Sequence, residues 1–155
     1  MNPNLYALEN LFIRLQGTQI VHFSFNQGTL RLQIKTPVAS QLLPGSETVH
    51  LVIGGCHKLF YLSYNQIQEN RVALDKPELI FDKGLQIQGI ELRNRDTTDK
   101  LVKEGFIVYC NSFLHDLEAG ELHFTATDFQ LYDQEFGLIS FETFLRAAGE
   151  LNTNS

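Results

Sequence analysis

The stretch Gln19-Ile-Val-His-Phe-Ser-Phe-Asn-Gln-Gly-Thr-Leu-Arg-Leu-Gln-Ile-Lys-Thr36 alternates apolar and polar residues with period two. A helix needs apolar positions three and four apart, whereas a half-buried strand needs every second one, so this stretch predicts two strands. Val21, Phe23 and Phe25 share one side of the first strand, with His22 and Ser24 opposite. Leu30, Leu32 and Ile34 face inward on the return strand, with Arg31, Gln33 and Lys35 outward. Asn26-Gln27-Gly28 is read as a three-residue hairpin loop, with glycine supplying a positive φ.

Upstream, residues 3–16 predict an amphipathic helix with Leu5, Leu8, Leu11, Phe12 and Leu15 on one face. Asn2 suits its cap, Pro3 its first turn, and Gly17 its end. Downstream, Pro37 and Pro44 frame a loop, then Val49, Leu51 and Ile53 resume the alternation until Gly54-Gly55 demands a bulge or bend. Lys58 to Tyr64 and Phe106 to Cys110 are apolar on both sides, which predicts strands central in the sheet. Further strands are expected at Glu78 to Phe81 and Leu85 to Leu92, the latter bulged near Gly89. The inward phase moves from Leu122, Phe124 and Ala126 to Phe129 and Leu131, so the chain must kink near Thr127-Asp128. Ser140 caps a second helix, residues 140–149, with Phe141, Phe144, Leu145 and Ala148 on one face.

These elements predict one mainly β domain over residues 1–155, of α+β type: an antiparallel β-sandwich or curled sheet with a helix near each terminus. The intervals between strands are too short for the crossover helices of a parallel sheet. The composition agrees, with 43% hydrophobic residues, twelve Phe, five Tyr and no Trp.

The chain is acidic, with a net charge of −6 from eighteen acidic and twelve basic residues. Such a field repels phosphate backbones and anionic bilayers and attracts basic partners. The densest basic stretch, Arg93, Arg95, Lys100 and Lys103, is broken by Asp96, Asp99 and Glu104, so neither nucleic acid nor a membrane is the expected partner. No apolar run reaches the roughly 18 residues of a membrane span, and the start carries no basic leader, so a cytoplasmic location is expected. Cys56 and Cys110 are then expected reduced and buried.

No spacing in the chain demands a particular chemistry. Phosphate-cradling glycine motifs, a nucleophile elbow and zinc-type pairs are missing from the sequence, and no cofactor is expected. Two weaker patterns remain. His22, His50 and His123 lie opposite the inward phase of their strands, and strand pairing that gathered them would make a metal site. Tyr61, Tyr64, Tyr109 and Tyr132 combine area with a polar tip and would suit a recognition face, or else form a second core layer. His115-Asp116 reads as a polar loop.

The opening helix, the hairpin Ile20 to Ile34, the strand Val49-His50-Leu51-Val52-Ile53-Gly54-Gly55-Cys56 and the segment Gly120-Glu121-Leu122-His123-Phe124-Thr125-Ala126 together resemble a loose class of small bacterial β-sandwich proteins that includes some immunity proteins of toxin systems. The resemblance implies a non-catalytic, immunity-like antagonist of a basic protein partner, and carries over no functional residue. The other functions weighed are a small-molecule carrier with an apolar cavity between sheet and helix, and a metal-dependent hydrolase built on the three histidines. An edge strand would also offer a route to a homo-oligomer.

Overall fold

Gln27 and Gly28 both hold a positive φ, 50° and 80°, so the first hairpin closes in two residues rather than the three expected. Two positive φ values give the turn a twist that matches the flanking strands. In this computed structural model, which describes residues 3–64, 73–82, 84–93, 105–112 and 119–153, the hairpin joins β1 (Gln19–Asn26) to β2 (Thr29–Lys35). A bulge at Val21 lets Ile20 pair with Ile34 and Phe23 with Leu32 on the same inward face. Val21, expected inward beside Phe23, is the residue displaced.

The remaining elements are α1 (Pro3–Arg14), α2 (Ala39–Leu42), β3 (Thr48–Gly54), β4 (Phe60–Ser63), α3 (Pro77–Phe81), β5 (Leu85–Arg93), β6 (Gly105–Ser112), β7 (Ala119–Thr125), β8 (Asp128–Tyr132), β9 (Leu138–Ile139) and α4 (Phe141–Thr153). Among the described residues the strands form one antiparallel sheet in the order β4-β7-β6-β5-β1-β2-β3-β8-β9.

Connection lengths force this sheet to curl. β3 and β4 stand six places apart, as do β7 and β8. In a flat sheet each pair would be about 29 Å apart at about 4.8 Å per strand. Yet the chain from Gly54 to Phe60 reaches at most about 22 Å, and that from Thr125 to Asp128 about 11 Å. The half β4-β7-β6-β5 must therefore fold back over the half β1-β2-β3-β8-β9. Hydrogen bonds stitch the two links where they meet, with Thr127 N donating to Gly54 O and His57 N to Thr125 Oγ1, each at 2.8 Å, and Cys56 N ties the first link to the β1–β2 turn by donating to Gly28 O at 2.8 Å. At the seam, β1 and β5 pair only at Gln19 and Gln86, with Gly17 N donating to Ile87 O at 2.7 Å.

Helix α1 fills the curl. Its Leu8, Leu11 and Phe12, and Leu15 just beyond its end, are completely buried, and it packs on β5 of one half, β8 of the other, and α4. Phe12 meets Phe124 of β7, which stacks on Phe106 of β6 at 5.4 Å. The apolar stripe read from the sequence is therefore the wedge that both half-sheets close on.

Several expected elements differ. Glu78 to Phe81 is not a strand but part of helix α3, because Pro77 and Glu78 are first-turn residues and α3 leaves Ile80 and Phe81 to pack inward. Phe81 stacks on Phe23 at 4.8 Å. β4, expected in a central position, is an edge strand. Its outer side is covered by a bridge to Leu74, with reciprocal bonds of 2.8 and 2.9 Å to Tyr61, which explains its apolar composition. β6 is central, with Phe106, Ile107 and Val108 buried in succession. The shift at Gly89 and the break at Thr127-Asp128 fall where expected, the latter as the link from β7 to β8. Thr143 N donates to the Ser140 cap at 3.1 Å, but α4 runs through Gly149 to Thr153. A helical glycine costs only about 1 kcal/mol, less than the packing of Phe144, Ala147 and Ala148 supplies.

Candidate functional site

Each half-sheet presents an outward face, and the singled-out side chains divide between them. On β4-β7-β6-β5 the register places Leu62, Glu121 and Tyr109 in one row and Phe60, His123 and Ile107 in the next. Tyr64 Oη donates to Glu121 Oε2, His123 Nε2 lies 3.0 Å from Glu121 Oε1, and Tyr109 Oη donates to Glu91 at 2.7 Å. The His123 ring stacks on Phe60 at 4.5 Å. Glu121 and His123 are both only about a fifth exposed, at 18% and 20%. This face is an acidic and aromatic hydrogen-bonded surface held between strands.

Tyr61 belongs to neither face. It is completely buried, as in the core-layer alternative. The other half carries His22, Gln33, His50 and Tyr132 in a single row across β1, β2, β3 and β8, ending at Leu138 of β9. His22 and His50 are thus separated by a whole strand, and His123 lies on the other half-sheet. The three imidazoles are not brought together, and among the described residues no three His, Cys, Asp or Glu side chains are grouped to hold a metal ion.

The row ends in the most distinctive surface of the protein. Between β8 and β9 the loop Asp133-Gln134-Glu135-Phe136-Gly137 is held by hydrogen bonds centred on Asp133 and Gln134. Asp133 N donates to Gly137 O at 2.9 Å, and Asp133 Oδ1 accepts from Glu135 N at 2.9 Å and Gly137 N at 2.8 Å. Gln134 Oε1 accepts from Glu47 N, Thr48 N and Thr48 Oγ1, while its carbonyl lies 3.2 Å from His50 Nε2. This clamp holds Phe136 at φ 65°, a conformation that costs a bulky residue of order 1 kcal/mol or more. The ring stacks on His50 at 4.1 Å yet stays 64% exposed, and Leu138 beside it is 70% exposed. Leu138 also lines, with Phe129, Leu131, Ile139, Phe141 and Ala7, an open groove of about 820 Å³.

Periodicity does not single out Asp133, Gln134, Phe136 or Leu138, because a clamped loop has no period and β9 is only two residues long. The usable signal was turn chemistry: an Asp and a Gly four residues apart between two strands, where Asp caps its own loop. His115-Asp116 and the basic stretch Arg95 to Lys103 lie outside the described residues.

Both cysteines are buried, as expected, and free. Burial pushes the Cys56 thiol up to about 12, from 9.0, and raises Cys110 as well. Since the folded chain holds these protons more tightly than the unfolded chain, the stability they contribute is complete below about pH 9 and is lost as pH rises from 9 through 12. Thiol-reactive dye at pH 8 should therefore label neither cysteine in the folded protein and both in denaturant. Rapid labelling of the native chain would show that a thiol is accessible.

Among the described residues no helix is long and apolar enough to cross a membrane. No family model matches the chain, and neither the curated proteins nor the solved structures contain one significantly similar to it.

Proposed function

We propose that the chain is a non-catalytic protein-binding module whose partner docks on the β8–β9 end of the sheet, anchored by Phe136 and Leu138. One observation carries this: a loop held in place by the hydrogen bonds of Asp133 and Gln134 spends backbone strain to hold a large aromatic ring in solvent. Folding alone gains nothing from that exposure. A binding surface gains twice, since exposed aromatic anchors dominate interface energies and pre-organisation removes the ordering cost. The net charge of −6 supports a basic partner, and the resemblance to immunity proteins would make that partner a toxin.

The test compares the wild-type chain with Phe136→Gly/Leu138→Ser in affinity capture followed by titration of the captured protein. Glycine accepts the positive φ, so the variant should keep its melting temperature within about 2 °C while binding at least tenfold more weakly. Equal affinity of the two chains for every captured protein would remove the β8–β9 end as the docking site.

A further inference from the structure

We infer that the groove beside β8 receives an extended, basic segment of the partner as an added strand. This rests on the protein-binding function proposed above and specifies its mode. Strand geometry carries the first step. The pair Asp133 and Gly137 closes the β8–β9 hairpin through Asp133 N to Gly137 O at 2.9 Å. Bonded and non-bonded pairs alternate along an antiparallel ladder, so Tyr132 and Leu138 form the non-bonded pair and Leu131 and Ile139 the next bonded one. Two residues further on, Phe129 aims its N–H and C=O the same way as Leu131. Among the described residues β9 ends at Ile139, and the chain turns at Ser140 into α4. The Phe129 backbone therefore points past the end of β9, into the groove where a continuing strand would lie.

The groove fits such an occupant. Its apolar lining, Phe129, Leu131, Ile139, Phe141 and Ala7, suits every second side chain of an extended segment, while the side chains between them stay in solvent. Phe129 and Phe141 meet edge to face at 6.3 Å and form a firm floor. Charge selects the partner. Glu142, exposed in the first turn of α4, lines the groove. A second copy of this chain would bring the same carboxylate and the same net charge of −6 to the junction, whereas a Lys- or Arg-bearing strand neutralises it. The occupant is therefore a foreign strand alternating apolar and basic residues.

The probe is a capped hexapeptide, Val-Lys-Val-Lys-Val-Lys, titrated into isotope-labelled full chain and followed by amide NMR, with the Val-Glu counterpart as control. Strand addition predicts shifts at Phe129, Phe141 and Ala7, exchange of the Phe129 amide slowed at least tenfold, and no binding of the acidic peptide. Neutralising the groove's carboxylate with Glu142→Gln should weaken binding about two- to fivefold, while amide spectra confirm the fold. Three results would overturn the inference: no shifts at millimolar peptide, shifts mapping to another face, or Phe129 protection that rises with protein concentration alone and so identifies a second copy. If a partner binds through Phe136 and Leu138 while Phe129 exchange is unchanged, strand addition fails and the docking function stands. If the hexapeptide protects Phe129 but no partner depends on Phe136, the groove stands and the anchors fail.

Discussion

Gly120→Ala is expected to destabilise the fold by about 3 kcal/mol, a fall in melting temperature of roughly 6–12 °C. In an unstrained strand the same change would ordinarily stabilise, by lowering the entropy of the unfolded chain, so the sign of the effect is diagnostic. Gly120 sits in β7 opposite Ser63 of β4 and Cys110 of β6. A Cβ there would fall inside contact distance of the Tyr61 ring and hydroxyl and 2.6 Å from the Leu62 carbonyl oxygen. The bare Cα of β7 is what allows Tyr61, on an edge strand, to lie flat and completely buried. The backbone of Leu62 cannot retreat without breaking the β4–β7 ladder, so the strain cannot be relieved by rotating a side chain. Chemical denaturation of Gly120→Ala, Tyr61→Ala and the double variant decides the matter. The two losses should sum to more than the loss in the double variant, because the ring's share of the clash vanishes with the ring and only the Leu62 carbonyl contact remains. Strict additivity, or a Gly120→Ala protein as stable as the parent, would show that Tyr61 is not seated on Gly120.

This pair also shows what a sequence can and cannot yield. Alternation located β1, β2, β3 and β7, and helical spacing located α1 and the start of α4, because burial on one side imposes a period that any single element displays. It could not tell that Lys58 to Tyr64 forms an edge, since an apolar strand looks the same whether a neighbouring strand or the Leu74 bridge covers it. Nor could it separate the short helix α3 from a strand, because five residues hold too little of either period. The outward positions of His22, His50 and His123 were legible, but their separation was not, since it depends on strand order. The exposure of Phe136 follows from tertiary clamping of its loop by Gln134 and Asp133, which only the fold reveals. The pattern leaves the four tyrosines open between an outward face and a core layer: Tyr64, Tyr109 and Tyr132 lie at least partly exposed, whereas the burial of Tyr61 is decided by one glycine 59 positions away.

Phe12→Ala is the substitution expected to cost most, about 3–5 kcal/mol, because it removes a fully buried ring and leaves a cavity that neither half-sheet can close independently. The two halves share few backbone bonds at the β1–β5 seam, one ladder pair and its neighbours, so their closure depends on what lies between them. That filler is α1, whose Phe12 meets Phe124 on the first half while the helix also touches β8 on the second. Loss of the ring removes the Phe124 contact and loosens the helix on both sides at once. The melting temperature should fall by roughly 6–20 °C, whereas truncating exposed Phe136 should leave it nearly unchanged. Phe12→Leu, which keeps much of the volume but not the ring contact, should recover more than half of the loss. Hydrogen exchange adds a regional test: amides of β5, β7 and β8 should lose protection together in Phe12→Ala, as the wedge serves both halves. Loss confined to α1 would mean that the half-sheets hold their curl through the stitched links at Gly54 and Thr125 alone, and that the helix merely covers a cavity already closed.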